Sequence, residues 1–193
     1  DEGWLVAILP RRNSLTRPPV ANIDVALLVV AAASPDPDLL LLDRMLLSAR
    51  QAGISPLVAV SKADLAPERA EAIQRIYGCA ADGAFLVCAK SGEGIPALRE
   101  ALSGSVHALS GQSGAGKSTL INALYGLKLK TGQVSRIERG RHTTRCSELI
   151  ALPGGGMVLD TPGFSLLESP LTEPIHLKEF YQEFAPFEGN CRF

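Results

Sequence analysis

The chain has 193 residues, the size of one large domain or of one domain with fragments of its neighbours. At 46% hydrophobic it can bury a sizeable core, which excludes intrinsic disorder and collagen-like repeats. With 19 basic and 20 acidic residues the net charge is −1, so a globally basic nucleic-acid binder is not indicated, although a local basic patch fits that sum.

Residues 4–10 read as a strand. The basic, Pro-punctuated stretch 11–19 reads as a loop leading out of a preceding domain. Residues 23–32 form a continuous aliphatic run of the buried-strand type. Asp36-Pro37-Asp38 offers a helix start, and the helix runs over 39–52, closed by Gly53. A strand at 56–60 follows, then a helix at 67–77 with Pro at its start and Gly78 at its end. A strand at 84–88, a short helix at 95–102 and a strand at 106–109 come next. That last strand runs into a Gly-rich loop and a helix at 117–125. Residues 126–145 are irregular and basic. Strands at 146–152 and 157–160 are joined by a turn at Gly154-Gly155-Gly156, and the tail 176–187 reads as an acidic helix. Strands alternating with helices predict an α/β fold with a mostly parallel sheet covered on both faces.

The longest apolar run, Val25 to Ala33, is far short of the roughly 20 residues of a membrane helix, and the start shows no secretory signal. Cys79, Cys88, Cys146 and Cys191 are scattered, which reads as reduced thiols in a cytoplasmic protein. The start lacks a Met and the end lacks a stop-like character, so truncation at both ends is expected.

The strongest chemical signal is Gly111-Gln112-Ser113-Gly114-Ala115-Gly116-Lys117-Ser118, which matches G-x-x-x-x-G-K-[ST] between a strand and a helix. Glycines let the backbone curl until several N–H groups face one phosphate, and the helix N-terminus adds its positive end. Lys117 would reach the outer phosphates, and the Ser118 hydroxyl would ligate Mg²⁺. Thr119 completes the binding segment. The plain alternative is a Gly-rich turn without a ligand.

The base is read upstream. Asp64 in Ser61-Lys62-Ala63-Asp64 would accept the N1–H and N2–H₂ of guanine, a donor pair adenine lacks. The Lys62 stem would lie over the purine face. Cys88-Ala89-Lys90, at the end of another strand, would offer backbone N–H to guanine O6. Downstream, Asp160 in Asp160-Thr161-Pro162-Gly163 would meet Mg²⁺ through water, and the Gly163 N–H the γ-phosphate. Thr143 or Thr144, in Gly140-Arg141-His142-Thr143-Thr144, would complete the Mg²⁺ shell.

In Ras-like GTPases the phosphate loop precedes the guanine motif; here it follows, which is the order of a circular permutation. Residues 95–105 can make the join between the old ends. This order resembles the ribosome-small-subunit-dependent GTPases of the RsgA/YjeQ family. The resemblance is carried also by Ile8-Leu9-Pro10-Arg11-Arg12-Asn13, Val20-Ala21-Asn22-Ile23-Asp24 and Asp160-Thr161-Pro162-Gly163-Phe164. It implies a P-loop NTPase three-layer sandwich: residues 1–19 end an OB-fold domain, 20–170 form the permuted GTPase domain, and 171–193 begin a C-terminal zinc-binding domain. It further implies GTP/GDP with Mg²⁺, the small ribosomal subunit as partner, a monomer with no membrane association, and Zn²⁺ with Cys191 as a first ligand. Ser61 stands where many guanine motifs have Asn, which predicts a weaker brace on the phosphate loop.

Phe164 occupies the place where Ras-type enzymes carry a water-orienting Gln. His142 is therefore the catalytic candidate, its neutral imidazole positioning water; the alternative is a residue that packs or contacts rRNA. Between Lys128 and Arg145 six basic residues face one acidic residue. Arg136, Arg139 and Arg141 are the candidate rRNA contacts, against a plain solvated loop. Two other functions fit parts of the pattern: a GTP-dependent binding switch with little hydrolysis, and a small-molecule P-loop kinase.

Overall fold

The computed structural model describes residues 4, 6–15, 20–127, 148–152, 155–160, 178–187 and 189. A short antiparallel ribbon comes first, β1 (Ser14–Leu15) with β2 (Val20–Ala21). The main sheet has six strands: β3 (Val25–Ala31), β4 (Ser55–Ser61), β5 (Gly83–Val87), β6 (Val106–Gly111), β7 (Glu148–Ala151) and β8 (Met157–Asp160). Their spatial order is β5-β4-β3-β6-β8-β7, all parallel except β7, which closes one edge antiparallel to β8.

The helices are α1 (Leu39–Gln51), α2 (Pro67–Ala80), α3 (Ile95–Ala101) and α4 (Lys117–Tyr125). Every residue of β3 is buried, which explains why its sequence is apolar without alternation. Its two faces still separate. Ala26, Leu28 and Val30 pack with Leu42, Met45 and Leu46 of α1 and Ile73 of α2. Leu27, Val29 and Ala31 pack with Leu98 of α3 and Leu120 and Leu124 of α4. The expected three-layer α/β sandwich is what forms. Fully buried leucines such as Leu27, Leu98 and Leu120 contribute about 1.5–3 kcal/mol each relative to exposure.

Local chemistry sets the helix ends. The Asp38 carboxylate accepts the Leu41 N–H at 2.9 Å and caps α1. Pro67 opens α2 as expected, but Gly78 does not close it. The helix continues to Ala80 because Tyr77 and Ala80 both face the core and the Tyr77 hydroxyl donates to Asp43 at 2.6 Å.

Three other segments depart from expectation. The described residues of 4–10 are not a strand: no described strand lies beside them to pair their backbone groups, and Trp4, Val6, Ile8 and Leu9 are exposed. The stretch 11–19 is not wholly loop, since it contributes β1. The tail at 178–187 forms short 3₁₀ turns rather than an α-helix, with Pro186 inside Gln182–Phe187.

The order of the strands positions the site. The chain moves from β3 outward to β4 and β5, then returns past both to place β6 on the other side of β3. The loops leaving β3 and β6 therefore diverge to opposite faces, opening a crevice at the carboxyl ends of the strands.

Candidate nucleotide site

Parallel pairing fixes which residues meet at this edge. Ala31 lies beside Ser61, Ser61 beside Val87, and Val29 beside Gly111. β8 pairs with β6 up to Leu159 and Ala108, so Asp160 emerges beside the strand that feeds the Gly-rich loop.

Geometry requires glycine at positions 111 and 116 of that loop. Gly111 adopts φ +150°, and a Cβ there would sit 2.1 Å from the Val29 carbonyl oxygen. Gly116, at φ +92°, turns the chain into α4. The Lys117 ammonium folds back over the loop, donating to the carbonyls of Gly111 at 2.6 Å and Gln112 at 2.9 Å. Burial holds its pKa below the ordinary lysine value. A half-buried cation facing carbonyl dipoles is ready to meet phosphate charge.

The two upstream motifs close on this loop. The Ser61 hydroxyl donates to the Ala115 carbonyl at 2.5 Å, so the brace that sequence alone marked as weakened by the loss of Asn is made by serine. Lys62, in the left-handed region at φ +53°, donates to the Gly114 carbonyl at 2.9 Å and to that of Ser34. Its stem thus lies along the loop's edge. Cys88 opens a tight turn in which its N–H donates to the Glu93 carbonyl at 3.0 Å and its carbonyl accepts from Gly92 at 2.9 Å.

A mainly apolar cavity of about 200 Å³ lies between the three segments. Ser61, Lys62 and Asp64 line one side, Cys88, Ala89 and Lys90 a second, and Ala115, Gly116 and Thr119 a third. Leu65, Val87 and Leu120 complete the wall and were not singled out by sequence reasoning. They carry no polar signature; only the hydrophobic periodicity that also marks core residues could have pointed to them. Such a slot suits a flat aromatic base held by a few polar groups at its rim.

Ser118 sits in the first turn of α4, and β8 brings Asp160 to the same sheet edge. Hydroxyl and carboxylate oxygens of this kind are a donor set suited to Mg²⁺. Arg136, Arg139, Arg141, His142, Thr143, Thr144, Gly163 and Cys191 lie outside the described residues, as does the side chain of Asp160. Among the described residues no group of three His, Cys, Asp or Glu could hold a metal, and no helix is long and apolar enough to cross a membrane.

A family model described as RsgA GTPase matches residues 8–170. A small ribosomal subunit biogenesis GTPase RsgA from Caldanaerobacter subterraneus subsp. tengcongensis is 42% identical over 195 residues, covering 100% of this chain and 66% of the relative. Its counterpart from Moorella thermoacetica is 40% identical and is covered over 67% of its length. Among solved structures, YjeQ from Thermotoga maritima superposes with a TM-score of 0.79 at 34% identity, over 97% of this chain and 64% of that one. YloQ, described as a circularly permuted GTPase, superposes with a TM-score of 0.75 at 31% identity, over 100% of this chain and 63% of that one. The chain thus spans about two thirds of the length of the relatives it matches.

Proposed function

The chain belongs to the RsgA GTPase family, and from that membership we propose that it is the nucleotide-binding part of a GTP hydrolase that acts on the small ribosomal subunit. In this reading it assists late maturation of the subunit, and hydrolysis drives its release. The observation that carries the reading is the cavity shared by Ser61–Asp64, Cys88–Lys90 and the Gly-rich loop. A bare phosphate loop would serve any nucleotide; a base slot walled by a carboxylate motif and a tight turn favours guanine.

The motifs assign the roles in this reading. Backbone N–H groups of 111–118 and the Lys117 ammonium hold the phosphates. Asp64 accepts from the guanine edge, Lys62 covers the ring, and Ala89 and Lys90 face O6 through their backbone. Ser118, Asp160 and Thr143 or Thr144 would hold Mg²⁺, which neutralises phosphate charge when bound. His142 orients the attacking water, and Gly163 contacts the γ-phosphate. Residues 1–19 end an OB-fold domain and 171–193 begin a zinc-binding one, in which Cys191 would be one ligand of a tetrahedral set completed by residues outside this chain. The protein acts in the cytoplasm as a monomer.

Displacement of a fluorescent GDP analogue, together with turnover measured with and without small subunits, tests this reading. GTP and GDP should compete and ATP should not. Subunits should raise turnover, and His142→Ala should keep binding while losing most hydrolysis. Equal competition by ATP would instead indicate a P-loop kinase. Tight GTP binding with no turnover under either condition would indicate a binding switch.

A further inference from the structure

His107 is fully buried at the second position of β6, four residues before the Gly-rich loop. Both ring nitrogens are engaged. The Tyr125 hydroxyl, at the end of α4, lies 2.8 Å from Nε2. The Ser105 hydroxyl lies 3.1 Å from Nδ1. The Ser105 hydroxyl donates its proton to the Leu102 carbonyl at 2.7 Å, so toward His107 it can only accept. Nδ1 therefore carries the ring proton, and Nε2 accepts from Tyr125. The result is one directed chain, Tyr125 to His107 to Ser105 to Leu102, running from α4 through β6 to the end of α3. Burial lowers the His107 pKa, with a smaller opposing pull from a backbone hydrogen bond at Ser105, and so favours the neutral ring. The Tyr125 hydroxyl is likewise kept protonated, its pKa pushed up to about 12 chiefly by burial.

Its place in the fold gives this chain its consequence. β6 rises to the phosphate loop and α4 descends from it, so the unit is open at its base, where Val106 and Tyr125 lie. The His107–Tyr125 bond closes that base. The Arg99 guanidinium donates to the Ala123 carbonyl at 3.2 Å and holds the same end of α4 to α3. The angle between β6 and α4 sets how the loop N–H groups converge. We propose that His107 is a positioning residue for the phosphate loop, pinning the end of α4 to the start of β6 so that the loop is held open for a guanosine di- or triphosphate. The proposal rests on the reading of 111–118 as a nucleotide site.

The experiment measures affinity for a fluorescent GDP analogue and thermal melting in parallel. His107→Phe keeps an aromatic ring, somewhat larger, but removes both bonds, and Tyr125→Phe removes only the donor. His107→Gln retains an acceptor that can reach Tyr125. Both phenylalanine variants should melt cooperatively yet bind about tenfold more weakly, and His107→Gln should recover most of the affinity. Combining His107→Phe with Tyr125→Phe should cost no more than one alone. If His107→Phe does not fold, the comparison of Tyr125→Phe with wild type carries the test. Affinity within twofold of wild type in a folded Tyr125→Phe, or no recovery in a folded His107→Gln, would overturn the proposal. Wild-type chain that binds no guanine nucleotide would sink the nucleotide reading itself, which is a distinct outcome.

Discussion

At the scale of single residues, Ser61 shows how much one hydroxyl can carry. It is 6% exposed, and its bond reaches Ala115, which is fully buried inside the phosphate loop. Removing that donor leaves a carbonyl without its side-chain partner in a dry place, at a cost of about 1–3 kcal/mol. Ser61→Ala should therefore lower the melting temperature and, by loosening the loop, weaken GDP binding by roughly tenfold, as thermal melting and titration calorimetry would show; unchanged affinity would mean that the loop holds its shape unaided. The residue was legible as part of a motif. The bond was not, because Ser61 and Ala115 are 54 positions apart and only the pairing of β3 with both β4 and β6 brings them together.

At the scale of elements, the clasp between the leading segment and the sheet accounts for two signatures that had no assigned chemistry. Asn13 pairs with the Ile23 backbone in both directions, at 2.8 and 3.0 Å. Asp24 accepts from the Val106 N–H at 2.8 Å and from Arg12 at 2.9 Å. The Val106 bond first, and Arg12 second, hold the Asp24 carboxyl below its ordinary value. A lowered folded-state pKa contributes stability that is present above the unfolded value near 3.8 and is lost as pH falls through the lower folded value. Asp24→Asn should thus melt a few degrees below wild type at pH 7, and the gap should close below about pH 4. A gap that stays constant across that range would show that the charge is irrelevant. Element identity was mostly readable from apolar runs and from Pro and Gly. The readings of 4–10 and of the tail failed because the backbone groups of a strand, and the length of a helix, depend on what packs beside them.

At the scale of the whole molecule, the near-zero net charge conceals an uneven distribution. Between 128 and 145, basic residues outnumber acidic ones by five, while the rest of the chain is correspondingly acidic. Partner binding through rRNA phosphates should follow counterion release. The double variant Arg136→Ala/Arg139→Ala should bind small subunits more weakly and with a shallower salt dependence, read from pelleting assays across a salt series. An affinity and slope equal to wild type would remove these arginines from the interface.

Sequence alone supplied the motifs: a phosphate-loop pattern, an upstream carboxylate motif, and the permuted order that marks the family. These are local patterns, in which neighbouring residues along the chain act on one ligand group. Tertiary structure decided what joins them. It chose the strand order that sets three distant loops around one cavity, the apolar wall of Leu65, Val87 and Leu120, the serine brace, and the buried imidazole at the base of the loop. The physical reason is that parallel pairing and burial are long-range. Which carbonyl faces which donor is settled only when non-adjacent strands share a sheet.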